Sequence, residues 1–173
     1  HAARIITDAE EADFWGISFD KPKVDIDRLR ESTNGVVQRM TQGLGQLCKS
    51  RKVKYVRGLA NFNDSRSVTV YKQDGHEETV EFEYAIIAAG SRPAILGKPL
   101  DTPRVMNSTD ALRIEAIPKS LLVIGGGYIG LELGSVYATL GAKVTVVEMT
   151  NGLLPGVDRD LVKPLAQRLD TLF

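Results

Sequence analysis

The chain has 173 residues, 43% hydrophobic and 25% charged, enough for one ordinary globular domain or two small ones. Its 22 Lys and Arg balance 22 Asp and Glu, so bulk charge points to neither a nucleic acid nor an acidic membrane as partner. A single cysteine, Cys48, excludes an internal disulfide and a cysteine-only cluster, and two histidines, His1 and His76, are too few for a zinc site, so no metal is expected.

No apolar run reaches the roughly 18 residues that a membrane helix needs. The nearest, Leu121 to Leu133, is broken by glycines and Glu132. His1 to Gly16 holds no basic leader followed by an apolar stretch, which reads as a cytoplasmic protein. With no initiator Met and helix-like patterns at both ends, the sequence reads as a piece of a longer protein.

Apolar residues Ala2, Ile5, Ile6 and Ala9 recur at helical spacing and predict a short amphipathic helix that ends before Trp15-Gly16. A longer helix begins near Asp25, a candidate N-cap, with Ile26, Leu29, Val36, Met40, Leu44 and Leu47 forming a stripe expected to be buried. Gly35, Gly43 and Gly45 each cost such a helix about 1 kcal/mol relative to alanine, so either packing compensates or something approaches the backbone closely. Cys48, on or beside that stripe, reads as a small buried hydrophobe.

Strand-like segments follow at Val53 to Val56, Leu59 to Phe62, Ser67 to Lys72 and Thr79 to Phe82, divided by Asn63-Asp64-Ser65 and Asp74-Gly75 turns, as in a β-meander. His76 falls in a polar turn and reads as a solvated residue. Tyr84 to Ala89 is apolar without alternation, as expected of a strand covered on both faces, and Gly90-Ser91-Arg92-Pro93 stops it. A polar, proline-containing stretch runs from Arg92 to Arg104, a short helix is expected around Ser108 to Glu115, and Pro118 opens a second unit. The domain boundary is placed near residue 117, giving 1–117 and 118–173.

In the second unit, Leu121 to Ile124 reads as a buried strand and Gly125 to Gly130 as a glycine loop. A helix follows with Ile129, Leu133, Val136, Tyr137 and Leu140 on its apolar face and Gly141 as its C-terminal cap. Lys143 to Val147 is the next strand, with Glu148 at its end. Strand, helix and strand in about 30 residues form a βαβ crossover and imply a parallel sheet.

Gly125-Gly126-Gly127-Tyr128-Ile129-Gly130 satisfies G-x-G-x-x-G. In such a loop the first glycine makes the turn, the second lets backbone approach a pyrophosphate, and the third lets helix pack on strand. Phosphates favour the helix N-terminus, where N–H groups are unpaired and the dipole is positive. Glu148 stands where a carboxylate accepts both ribose hydroxyls and repels a 2′-phosphate, which favours NAD over NADP. Glu132, in the first turns of the helix, is accounted for as a complement to the helix dipole. Tyr128 reads equally as an aromatic plug or as a cover for a planar ligand.

Five stretches together carry a resemblance: Ala85 to Pro93, Ser108 to Leu112, Leu122 to Gly134, Val146 to Met149 and Asp158 to Val162. They resemble the dihydrolipoyl dehydrogenases, a family of FAD-dependent pyridine nucleotide-disulfide oxidoreductases, and the likeness covers nearly the whole chain. It implies an α/β, Rossmann-like FAD/NAD(P)-binding fold with an antiparallel β-meander insertion, incomplete as given. Residues to about 117 would be the later part of a FAD domain, and the rest the opening of an NAD domain.

By the same resemblance Ala60 would lie beside the FAD adenine, and Gly90 and Ser91 beside its ribityl-pyrophosphate region. Tyr128 would lie over the flavin face as a gate for nicotinamide, and Glu132 would reach toward nicotinamide and flavin. Gly125, Gly126, Gly127, Ile129, Gly130 and Glu148 complete the expected cofactor-binding set. Ala89 stands where the family more often has threonine. The family's first FAD glycine loop, its C-x-x-x-x-C disulfide and its His-Glu pair fall outside these residues, so no catalytic residue is assigned and the piece alone is expected to be inactive. The parent is expected to be a homodimer that oxidises dihydrolipoamide, carried on a lipoyl domain of a 2-oxoacid dehydrogenase complex, with NAD as acceptor. The alternatives are another disulfide reductase or NADH oxidase of the family, or a non-catalytic nucleotide-binding module.

Overall fold

A computed structural model describes residues 1–95, 97 and 102–173. The described chain forms two compact units, one of residues 1–34 and 93–173, the other of residues 35–92.

In the larger unit, α1 (Ala2–Glu11) runs into a 3-10 turn at Ala12–Trp15, closed by Gly16 at φ +77. The helix expected from Asp25 is α2 (Ile26–Ser50), of which residues 26–34 belong to this unit and 35–50 to the other, and Asp25 caps it by accepting the Arg28 N–H on Oδ1 at 3.0 Å. A four-residue helix, α3 (Ser108–Ala111), is held by a capping box in which Asn107 accepts from the Thr109 and Asp110 amides and Asp110 accepts from the Asn107 amide. It ends four residues earlier than expected, because Ile114 turns left-handed at φ +47.

The parallel pairing is as expected, but the first strand is not buried as its sequence suggests: Leu122 and Ile124 are exposed, because only one face of the strand is covered. Strands β4 (Ser120–Ile124) and β5 (Lys143–Val147) align Ser120 with Lys143 and Ile124 with Val147, and α4 (Tyr128–Thr139) connects them. Gly141, at φ +106, ends the helix as its sequence position predicts, and the Ala142 amide reaches back to the Tyr137 carbonyl at 2.9 Å. Tyr137, Ala142 and Val144 form the core, with Leu121, Val123, Ile117 and Phe173 packed around them. The Tyr137 hydroxyl donates to the Ala111 carbonyl at 2.9 Å and so ties the end of α3 to α4. After β5 a loop leads to α5 (Arg159–Leu169), which buries Val162 and Leu169.

In the smaller unit the meander forms in the order β1 (Leu59–Phe62), β2 (Ser67–Tyr71), β3 (Glu77–Glu81), antiparallel throughout. Gly58 is fixed by close approach, since a Cβ there would stand 2.5 Å from the Tyr71 carbonyl oxygen. Glu78 accepts from Lys54 and Lys72, each at 2.6 Å, and these ammonium groups pull its carboxyl down to about 2. His76 sits in the turn that was expected for it, its amide donating to Asp74.

Three expectations fail for one physical reason. Val53 to Val56 and Tyr84 to Ala89 have no regular structure, and Tyr84 and Ile86 are 91% and 94% exposed rather than covered on both faces. A strand exists only where a neighbour completes its ladder, and no described strand pairs with either segment. The apolar stripe of α2 is likewise uncovered: Val36, Met40, Leu44 and Leu47 are exposed, and nothing lies within 4 Å of a Cβ built at Gly43 or Gly45. Cys48 is accordingly half-buried. The stretch from Arg92 to Arg104 lies partly outside the described residues, which omit 96 and 98–101.

Candidate dinucleotide-binding site

The site is the junction of β4, α4 and β5. Three of the loop's four glycines have an internal reason to be glycine. Gly125 takes φ +104 and turns the chain out of β4, its amide donating to the Val147 carbonyl at 2.8 Å. At Gly130 a Cβ would stand 2.7 Å from the Gly125 carbonyl oxygen and 2.9 Å from Val123 Cγ1, so helix and strand approach as closely as backbone allows. Gly126 is also closed in, with Leu153 Cδ2 at 2.8 Å and Glu148 Cβ at 3.2 Å from its virtual Cβ.

Gly127 is different. Its φ of −76 and ψ of 168 suit any residue, and nothing lies within 4 Å of where its Cβ would be. No internal contact requires glycine there. It is the N-cap of α4, no side chain caps that end, and the first helical N–H groups have no intrahelical acceptor. A bare α-carbon beside unpaired amides is the surface that a pyrophosphate needs.

Glu148 reaches back to this loop. Its Oε2 accepts the Gly126 N–H and its Oε1 the Thr150 N–H, both at 2.7 Å. The backbone donors of Thr150 and Gly126 hold the carboxyl down at about 2. Each oxygen retains one lone pair, so the carboxylate stays able to accept two further hydroxyls.

Tyr128 is 67% exposed and lines a shallow groove of about 210 Å³ with Leu131, Glu132, Ser135, Leu154 and Leu165. Glu132 and Ile129 are exposed on the same helix. The fold thus brings Gly125, Gly126, Gly127, Tyr128, Ile129, Gly130, Glu132 and Glu148 together. Ala60, Gly90 and Ser91 belong to the smaller unit: Ala60 pairs with Val70 across the ladder, Gly90 takes φ +80 with open space about its α-carbon, and Ser91 is exposed. Among the described residues no cluster of His, Cys, Asp and Glu could hold a metal, and no helix is long and apolar enough to cross a membrane.

Sequence reasoning missed the loop after β5. The Leu154 N–H donates to the Gly126 carbonyl at 2.9 Å, and Arg159 gathers three carbonyls of that loop. Pro155-Gly156 announces a turn there, but no local pattern reports that the turn touches the glycine loop.

Residues 4–172 match the pyridine nucleotide-disulphide oxidoreductase family. The chain belongs to this family. It is 44% identical over 174 residues to the dihydrolipoyl dehydrogenase of Haemophilus influenzae, covering 100% of this chain and 36% of that protein. It is 42% identical to dihydrolipoyl dehydrogenase 2 of Haloarcula marismortui over 99% of this chain and 37% of the relative. The chain therefore spans little more than a third of these relatives. Among solved structures, the Cu(II) complex of the HOCl-induced flavoprotein disulfide reductase RclA from Escherichia coli matches with a TM-score of 0.74 and 26% identity, over 96% of this chain and 36% of that one. LpdA from Mycobacterium tuberculosis shares the fold with a TM-score of 0.82 at 23% identity, over 98% of this chain and 38% of that one. The Rossmann-like α/β reading and the family expected from the motifs are both borne out.

Proposed function

We propose that this chain is the nucleotide-recognition part of a dihydrolipoyl dehydrogenase, which oxidises dihydrolipoamide with FAD and NAD. The observation that carries the NAD assignment is Gly127, a glycine without an internal reason at an uncapped helix N-terminus. The choice of dihydrolipoamide is supported by 44% identity to a protein of that name over the whole chain.

In this reading residues 118–173 open the NAD domain and 1–117 close the FAD domain. The α4 amides and the loop backbone hold the pyrophosphate. Glu148, ionised throughout the working pH range, accepts the ribose hydroxyls on its free lone pairs and repels a 2′-phosphate, so NAD is preferred over NADP. Tyr128, Ile129 and Glu132 stand on the side of α4 that a nicotinamide would pass, and Ala60, Gly90 and Ser91 contact FAD through backbone. Bound FAD and NAD supply the electron and hydride transfer, while this chain binds and orients them. The dithiol partner is a lipoyl group of a 2-oxoacid dehydrogenase complex, and the whole enzyme is a cytoplasmic homodimer.

Another disulfide reductase of the family is the second reading, supported by the likeness to RclA. A lipoamide assay of the intact protein decides between them. NADH formation from dihydrolipoamide and NAD is expected. A flavin-containing protein that oxidises NADH but does not turn over lipoamide would overturn the substrate.

A further inference from the structure

The loop between β5 and α5 has an unusual amount of hydrogen bonding for an exposed segment. Arg159, the first residue of α5, donates from Nη1 to the Leu153 carbonyl at 2.9 Å, from Nη2 to Leu154 and Val157 at 2.6 and 2.7 Å, and from Nε to Val157 at 3.0 Å. One planar fork thus gathers three carbonyls, which a lysine ammonium on a flexible stem cannot reproduce. A second observation is independent of it. Leu154 sits in the left-handed region at φ +50, a conformation that a non-glycine residue keeps only when its surroundings impose it. Its carbonyl is held by Arg159, and its N–H by the Gly126 carbonyl.

Gly126 is therefore gripped on both sides. Glu148 takes its N–H, Leu154 takes its carbonyl, and Leu153 closes over its α-carbon. We propose that Arg159 is a positioning residue for dinucleotide binding: through Leu153 and Leu154 it clamps Gly126, and so fixes the direction of the Gly127 and α4 amides. The proposal rests on the reading that those amides hold the NAD pyrophosphate.

The test is made on the intact protein with NADH as probe. Arg159→Ala should speed hydrogen exchange at the Leu154 amide and weaken NADH by roughly 3- to 10-fold, as expected when the support of a preorganised site is loosened. The FAD content and the NADH-saturated rate should be unchanged. Arg159→Lys should fall between Ala and wild type, whereas a purely structural role would lower thermal stability without touching NADH affinity. Faster Leu154 exchange with unaltered NADH affinity overturns the clamp, and so does unaltered exchange. Gly127→Val, measured in parallel, separates the two ideas. If it weakens NADH while Arg159→Ala does not, the clamp alone fails; if neither does, the pyrophosphate reading fails with it.

Discussion

Gly130→Ala adds one methyl group at the tightest backbone approach in the βαβ unit. That carbon would lie 2.7 Å from the Gly125 carbonyl oxygen and 2.9 Å from Val123 Cγ1. Neither neighbour yields cheaply, since one is backbone in the glycine loop and the other a strand side chain packed against the core. Overpacking of this kind costs about 1–3 kcal/mol. Alanine returns up to about 1 kcal/mol of helix propensity, so from the middle of that range a net loss of about 1–2 kcal/mol is expected. For a domain of this size that lowers the melting temperature by roughly 2–8 °C. Because α4 must lift from β4 to make room, NADH affinity should fall with it. Gly43→Ala is the matched control: it lies inside α2 with nothing within 4 Å of the new carbon, and should be neutral or stabilising by up to about 1 kcal/mol. Thermal unfolding of both variants by circular dichroism, with an NADH titration, reads the contrast. Equal stability of Gly130→Ala and wild type would refute the packing argument.

Tyr137→Phe removes the hydroxyl that donates to the Ala111 carbonyl while keeping the ring that is 1% exposed, and should cost about 1 kcal/mol in denaturant unfolding. Glu148 titrates from an ordinary 4.5 down to about 2 in the folded chain, so its hold on the Gly126 and Thr150 amides is complete above pH 4.5 and is lost as pH falls through about 2; the carboxyl carbon shift in an NMR titration should show that midpoint. Glu148→Arg should move the ratio of catalytic efficiencies toward NADP, and an unchanged ratio would place the ribose elsewhere. Tyr128→Val should leave adenosine-side binding intact and change the stopped-flow rate of flavin reduction by NADH; lost stability with an unaltered rate would make the ring a packing element only.

The parts legible in the sequence are those whose determinants are local. Gly125 and Gly130 mark a turn and a close approach that only glycine permits, Gly141 marks a helix end, and the alternation through Ser67 to Tyr71 marks a strand. Tyr84 to Ala89 and the α2 stripe carry equally clear patterns, yet their apolar surface lies open, because pattern states what a segment needs and not whether the partner is present. Arg159 and Leu154 were illegible for the opposite reason. The partner of Leu154, Gly126, precedes β5 in the chain, Arg159 acts on it only through the Leu153–Leu154 turn, and no periodicity reports a contact made by two loops. Glu148 was legible as an acid at a strand end, but its grip on the Gly126 amide was not.

In the proposed function the Gly125 to Gly130 loop binds the pyrophosphate of NAD. Gly127→Val tests it most cleanly, because nothing of the protein lies within 4 Å of the added Cβ, whereas a bound pyrophosphate would meet the side chain. Calorimetric titration of the intact protein with NADH and NADPH should show NADH bound more tightly by wild type and much weakened in Gly127→Val, with the melting temperature lowered only by the small cost of valine as a helix N-cap. NADH affinity retained in Gly127→Val, or tighter binding of NADPH by wild type, would contradict the account.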